Sequence, residues 1–114
     1  MCLAAALIAS PAVAQDRAPV QRQQLLDLAY ALGESHALRQ ACEPDDQYWR
    51  ERMRRLIEVE RPDAVFAQRL ADRFNTGFTV RETQFPECTP AVRAEAAAAA
   101  RRGRAAAAAL ARIR

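Results

Sequence analysis

The sequence is poor in the residue types that most often carry out chemistry. It holds one histidine, His36, and three cysteines among its 114 residues. A metal site would therefore need His36 together with carboxylates or free thiols. Sequence motifs are also missing, since there is no CxxC pair, no glycine-rich phosphate loop and no nucleophile elbow. These absences disfavour metal, nucleotide and thiol-redox sites, so we predict no metal, no cofactor and no catalytic residue.

The sequence also contains no lysine and no convincing β-strand pattern. All seventeen basic side chains are arginines, and together with the high alanine content this is typical of a GC-rich genome rather than of a selected guanidinium surface. The best candidate for a strand, Thr79-Val80-Arg81, is short and continues a helical period. The sequence therefore predicts an all-α protein.

Long apolar runs are confined to the beginning of the chain. Residues 1–14 are uncharged and end in Ala12-Val13-Ala14, which has the small-x-small pattern of a secretory cleavage site. A basic segment before the apolar run is missing, and an uncleaved N-terminal helix is the alternative. We predict a signal peptide over residues 1–14, a periplasmic protein, and no membrane span after cleavage.

Two cysteines, Cys42 and Cys88, remain after residues 1–14 are removed. Two thiols in a small exported domain are most simply one disulfide. Closing a loop of this length stabilises the folded chain by roughly 4 kcal/mol in the chain-entropy account. For a domain of this size, such a bond is a large part of the total stability.

Apolar residues recur with a helical period from about residue 20 onward, after a short mobile lead-in over residues 15–19. The first helix, over about 20–41, is apolar on two adjoining faces and contains Gly33, which predicts a close helix crossing. The second helix belongs to the stretch 42–57, around which we expect the chain to be organised. Its apolar face consists of Trp49, Met53, Leu56 and Ile57.

Turn and capping residues divide the remaining chain into two more helices. Asp45 and Asp46 are capping candidates for the second helix. The third helix runs over about 63–84, and one broad side of this segment holds Phe66, Leu70, Phe74, Gly77, Phe78 and Phe85. Thr89-Pro90 is suited to begin a fourth helix. We therefore predict a three- to four-helix bundle over residues 20–102 with one disulfide.

The last part of the chain differs in composition. Residues 90–114 are mostly alanine and carry six arginines against a single acid, Glu95. Alanine favours helix but buries little apolar area. We expect this helix to dock near Thr89 and Val92, and residues 103–114 to form an Ala/Arg-rich tail that is helical or frayed.

Several short motifs together resemble a known family. They are Leu32-Gly33, His36, Leu38-Arg39, Cys42, Trp49-Arg50, Met53, Leu56, Glu60, Phe74-Asn75, Gly77 and Cys88-Thr89. The set is similar to a family of small exported alphaproteobacterial proteins catalogued as a conserved domain of unknown function, and it covers roughly residues 24–100. The resemblance implies export and the cysteine pair, and it supplies no activity, substrate or catalytic residue.

Four polar residues on apolar helix faces are candidates for a pocket. Helical projection places His36, Arg39, Glu60 and Arg81 on such faces, and they could converge near the disulfide. The alternative is that His36 is hydrogen-bonded in the core while the arginine stems pack and their charged ends reach water.

Four arginines of the last helix are candidates for binding an anionic surface: Arg93, Arg101, Arg104 and Arg112. They form a ragged basic side without a matching apolar face, which is not the pattern of a membrane-inserting helix. The partner would be an anionic envelope component or another periplasmic protein, and a solvated tail is the alternative. The predicted compartment disfavours nucleic acid.

These features predict a non-enzymatic periplasmic binding or envelope-maintenance protein. One alternative is a small periplasmic stress chaperone, by fold-level analogy with small helical acid-stress chaperones that carry one disulfide. The other alternative is an enzyme with a site around His36.

Overall fold

The computed structural model describes residues 17–112, and this part of the chain contains four α-helices and no strand. Helix α1 spans Pro19–Cys42, α2 spans Tyr48–Glu60, α3 spans Ala64–Gln84 and α4 spans Pro90–Arg112. The predicted all-α class is confirmed, and the helices begin and end close to the predicted positions. None of the described helices is long and apolar enough to cross a membrane.

Local sequence signals account for where the helices begin. The Asp63 carboxylate accepts a hydrogen bond from the Phe66 amide at 2.8 Å and so caps α3. The Asp46 carboxylate accepts from the Tyr48 amide at 3.0 Å in the turn before α2. Thr89 precedes Pro90 at the start of α4, as the sequence predicted.

Helix α1 is the centre of the bundle, because α2, α3 and α4 all pack against it. Its buried residues cover several faces and include Leu25, Leu26, Leu28, Ala29, Ala31, Leu32 and Leu38. The expectation that the stretch 42–57 organises the chain is therefore wrong. In α2 six of the thirteen residues are exposed arginines and glutamates, so this helix can cover only one side of α1.

Two glycines let α1 and α3 cross at backbone contact. A Cβ atom at Gly33 would lie 1.9 Å from the Phe74 carbonyl oxygen, and one at Gly77 would lie 2.3 Å from the Tyr30 carbonyl oxygen. No side chain fits at either position without moving a helix. The close crossing predicted from Gly33 is confirmed, and α3 supplies the partner glycine.

Helix α4 docks along its length rather than loosening after Gly103. Val92, Ala99, Gly103 and Leu110 are buried on one face, and Leu110 joins the same core cluster as Leu25. Of the two forms expected for the tail, residues 103–112 take the helical one. Small residues allow α4 to approach α1 closely, so that contact between backbones and methyl groups replaces the missing large side chains.

The disulfide between Cys42 and Cys88 is present, with a Sγ–Sγ distance of 2.09 Å. It connects the end of α1 to the loop that precedes α4. A second core cluster forms beside it from Leu38, Val92 and Ala99. The covalent link therefore holds the first turns of α4 against the end of α1.

The predicted signal peptide, residues 1–14, lies outside the described residues, as do the first two residues of the lead-in, Gln15 and Asp16. Within the described part of the lead-in, Arg17 forms two hydrogen bonds to Glu60, of 2.8 and 2.9 Å. The lead-in is thus attached to the end of α2 at this residue.

Candidate functional site

The four residues predicted to share a polar pocket do not come together. His36 lies on α1, with its ring centroid 5.8 Å from that of Phe74 and 5.3 Å from that of Phe78 on α3. Glu60 lies at the end of α2, where its carboxylate binds Arg17. His36 and Glu60 therefore belong to different environments.

The two arginines of the predicted pocket pair elsewhere as well. Arg39 lies 3.3 Å from Glu43 and 3.7 Å from Asp46, at the exposed end of α1. Arg81 donates to Glu34 at 2.7 Å, and Glu34 lies roughly 160° around α1 from His36 by helical geometry. The charge of each arginine is thus neutralised by a carboxylate that helical projection did not identify.

Glu34 is a buried charge that the sequence analysis missed. It is 4% exposed and accepts hydrogen bonds from Arg81 of α3 and from Arg102 of α4, at 2.7 and 3.0 Å. One carboxylate thus connects three helices, and Glu95 adds a further ion pair to Arg81 at 3.3 Å. The signal in the sequence was an acid inside the apolar middle of α1, where an unpaired charge would be costly.

His36 is buried at the base of a cleft between α2 and α3. It is 4% exposed, and its Nδ1 has no hydrogen-bond partner within residues 17–112. Burial lowers the pKa of His36 below its ordinary value, Arg50 lowers it further, and Asp46 acts in the opposite direction. The imidazole is therefore neutral at neutral pH.

The cleft above His36 has a volume of about 650 Å³. Apolar side chains form most of its walls, and the polar lining residues include Gln40, Arg50 and Asn75. No serine, threonine or cysteine is among the described residues that line it, so His36 has no nucleophile to activate there. Within residues 17–112, no three His, Cys, Asp or Glu side chains are grouped in a way that could hold a metal ion.

A second cleft, which we call the α2–α4 cleft, lies on the other side of α2 and has a volume of about 460 Å³. Its lining is apolar except for Ser35, Tyr48 and three arginines, namely Arg52, Arg55 and Arg104. No carboxylate is among the described residues that line it. Since an unneutralised guanidinium group attracts an anion, this lining is suited to a ligand that is partly apolar and partly anionic.

Trp49, which the sequence placed on the apolar face of the second helix, lies in this cleft and is only partly buried. Its ring packs on the main core cluster on one side and meets Tyr48 edge-on, with centroids 4.9 Å apart. An aromatic ring with one face on a core and another at a cleft is common at binding surfaces. The helical period identified the core-facing side of α2 but not where that side ends.

The basic side of α4, which we call the arginine face, consists of Arg93, Arg101, Arg104 and Arg112. All four are exposed, and none has a hydrogen bond or an ion pair in the described part of the chain. By helical geometry they fall within roughly 100° of arc, opposite the buried stripe that contains Gly103, and span about 28 Å along the axis. Arg102 lies outside this arc and binds Glu34 instead.

Comparison with known proteins identifies a family without an assigned activity. No curated protein and no solved structure matches the chain significantly. A family model described as "Protein of unknown function (DUF2385)" matches residues 19–113, a range that includes all four helices. The resemblance to a family of unknown function is confirmed at this level, while the export of its members stays a prediction. The chain therefore belongs to the DUF2385 family.

Proposed function

We propose that this protein is a non-enzymatic binding protein of the cell envelope, which binds anionic surfaces through the arginine face of α4. The observation that carries the proposal is the state of these four guanidinium groups. Arginines at the helix contacts, such as Arg17, Arg81 and Arg102, are paired with carboxylates. Those of the arginine face are exposed and carry unneutralised charge.

The docking of α4 supports this use of the arginine face. Because α4 packs against α1 as far as Leu110, its arginines project from a docked helix rather than from a frayed tail. Less conformational entropy is then lost when an anionic surface is bound. The other residues on the same arc of α4 between these arginines are alanines, so the face would lie on headgroups without inserting into an acyl layer.

The cellular setting of the proposal comes from two observations. Residues 1–14 have the pattern of a signal peptide, and Cys42 and Cys88 are joined in a disulfide, which is typical of oxidising compartments. An anionic lipid headgroup or lipopolysaccharide is the partner that such a location offers. The chaperone and enzyme alternatives gain no comparable support from residues 17–112.

Retention on vesicles tests the proposal. The protein should bind vesicles that contain an anionic phospholipid, bind purely zwitterionic vesicles much more weakly, and dissociate as salt rises, because exposed charges are screened over about 8–10 Å at physiological ionic strength. The triple variant R93Q/R101Q/R112Q should lose affinity by about 100-fold, at about 1 kcal/mol per arginine near the surface.

The matched control is the triple variant R50Q/R61Q/R69Q, which removes three exposed arginines from α2, α3 and the turn between them. It changes the net charge equally and should retain most of the binding. Equal losses in the two triple variants would mean that only net charge matters. Absence of binding at low salt would refute the proposal.

A further inference from the structure

We infer that the α2–α4 cleft binds a single-chain amphiphile with an anionic head group, of the fatty-acid type. The apolar chain would lie on the floor of the cleft, and Arg52, Arg55 and Arg104 would hold the head group. The inference deepens the proposed function and rests on it in one respect, since Arg104 belongs both to the cleft and to the arginine face.

The floor of the cleft is made of apolar residues, and small ones on α4 face larger ones across it. On the α4 side the lining residues are Ala100, Gly103 and Ala107, which leave space that longer side chains would fill. On the other sides the floor is made by Leu28, Ala31, Leu32, Trp49, Leu56 and Val59. A volume of about 460 Å³ lies within the range of small-molecule sites in proteins.

The arginines of the cleft differ from Arg54 on the same helix. Arg54 of α2 is bound by Glu51 and Glu58 on the far side from the cleft. Arg52 and Arg55 have no carboxylate partner within residues 17–112, and Arg52 has only the Tyr48 ring, 5.8 Å from its guanidinium carbon. Arg54 is thus neutralised by carboxylates, whereas Arg52 and Arg55, which line the cleft, are not.

The combination of floor and rim selects the chemical class of the ligand. A small inorganic anion would satisfy the arginines and leave the apolar floor in water, which forgoes the gain from burying it. A neutral amphiphile would cover the floor and leave three guanidinium groups without a counter-charge. An amphiphile with a carboxylate or a phosphate at one end of a single chain meets both requirements.

Trp49 provides a native reporter, because it is the one tryptophan of the chain and it lines the cleft. Laurate, titrated below its micelle-forming concentration, should shift the Trp49 emission saturably, and calorimetry should give the same dissociation constant. Acetate tests the head group alone and should cause no shift. Dodecyl maltoside has the same chain with a neutral head and should bind at least about tenfold more weakly, the value of one charge-assisted contact.

Two substitutions on α4 form a matched pair. Ala107→Phe places a ring in the cleft, and Ala105→Phe places the same ring at an exposed position of α4 that does not line it. Laurate affinity should fall by about tenfold or more in the first variant and stay nearly unchanged in the second. Removal of the head-group contacts in R52Q/R55Q should weaken laurate binding without changing the binding of dodecyl maltoside.

The experiment separates this inference from the proposed function. The R93Q/R101Q/R112Q variant should lose vesicle binding and retain laurate binding, because none of its three positions lines the cleft. Ala107→Phe should lose laurate binding and retain vesicle binding. Laurate binding without vesicle binding would refute the proposed function alone, and the reverse would refute the inference alone. Circular dichroism should show every variant folded.

Three results would overturn the inference. The first is equal laurate affinity in Ala107→Phe and Ala105→Phe. The second is equal affinity of the unsubstituted protein for laurate and dodecyl maltoside, which would make the cleft a general apolar crevice. The third is that the unsubstituted protein sediments as a dimer and the Ala107→Phe variant as a monomer, which would make the cleft an interface between two copies of the chain.

Discussion

At the scale of single residues, the structure separates charges that hold the bundle together from charges that are free to bind. Glu34 is the clearest example of the first kind, since one buried carboxylate receives arginines from two other helices. Arg55 and Arg101 are examples of the second, since each is exposed and has no partner in the described part of the chain. Anion binding by the arginine face and by the α2–α4 cleft depends on this separation.

Glu34→Gln should destabilise the protein by about 2 kcal/mol, because Arg81 would lose its buried counter-charge while Arg102 is half-exposed and can turn to water. The free energy of unfolding in urea measures the change. Glu58→Gln is the control, since it removes one partner of the exposed Arg54 pairs on α2 and should change the free energy of unfolding much less, because exposed ion pairs contribute little. Equal effects would mean that the Glu34 network has no special role.

His36 should make the stability of the protein depend on pH below neutrality. Its pKa in the folded state is lowered, chiefly by burial, so the unfolded chain binds a proton at a higher pH than the folded one does. Stability is therefore full above the unfolded pKa of about 6.5 and decreases as pH falls from there toward the folded value. Urea denaturation between pH 7.5 and 5 should show this decrease.

The matching variant is His36→Gln, which cannot titrate and should show a shallower decrease over the same range. All other titratable groups are the same in both proteins, so the difference between their pH curves isolates His36. Parallel pH curves for the two proteins would contradict burial of a neutral imidazole.

At the scale of helices, the packing depends on where small residues lie. Gly33 and Gly77 bring the backbones of α1 and α3 into contact, while alanines and Gly103 do the same more loosely for α4. This is why an alanine-rich helix, which buries few large side chains, nevertheless docks on α1 along its length. The expectation of a helical or frayed tail counted large apolar residues and did not consider close approach.

Alanine substitutions at two glycines should have opposite effects. Gly33→Ala should cost about 3 kcal/mol, because its Cβ would lie 1.9 Å from a main-chain oxygen and α1 and α3 would have to separate. Gly103→Ala should be neutral or stabilising by up to about 1 kcal/mol, because its Cβ would lie 3.7 Å from Ala31 and alanine favours helix. Thermal unfolding of the two variants measures both effects, and a tolerated Gly33→Ala would contradict the backbone contact.

At the scale of the whole molecule, three helices pack against one central helix, and a disulfide joins Cys42 at the end of that helix to Cys88 before α4. Helix α2 lies on α1 with a cleft on each side, one toward α3 and one toward α4. The two clefts differ in chemistry, since one has a buried histidine at its base and the other has three arginines at its rim. The bundle is therefore a scaffold with two distinct recesses around α2.

Replacement of both cysteines, in Cys42→Ala/Cys88→Ala, should lower the free energy of unfolding by up to about 4 kcal/mol. The far-UV helical signal should survive, because the main core cluster around Leu25 and Phe66 does not contain the disulfide. Peptide mapping after alkylation without reductant should leave both cysteines of the unsubstituted protein unlabelled. Labelling of either residue would show that the bond does not form in the isolated protein.

Much of this protein follows from its sequence alone. Helical periods and capping residues such as Asp63 act over a few positions, so they determine the number of helices and their ends locally. Gly33 in an apolar helix indicated a close crossing, and the two cysteines left after residues 1–14 indicated the disulfide. Each of these features needs only short stretches of sequence to be recognised.

Tertiary structure decided which side chains meet. Glu34 binds arginines that are 47 and 68 positions away, and the period of each helix gives a face but not its rotation relative to another helix. For the same reason His36, Arg39, Glu60 and Arg81 were placed together wrongly, and the α2–α4 cleft was not foreseen. Contacts between helices depend on side-chain sizes along both partners at once, and so the free arginines could be told from the paired ones only in the folded chain.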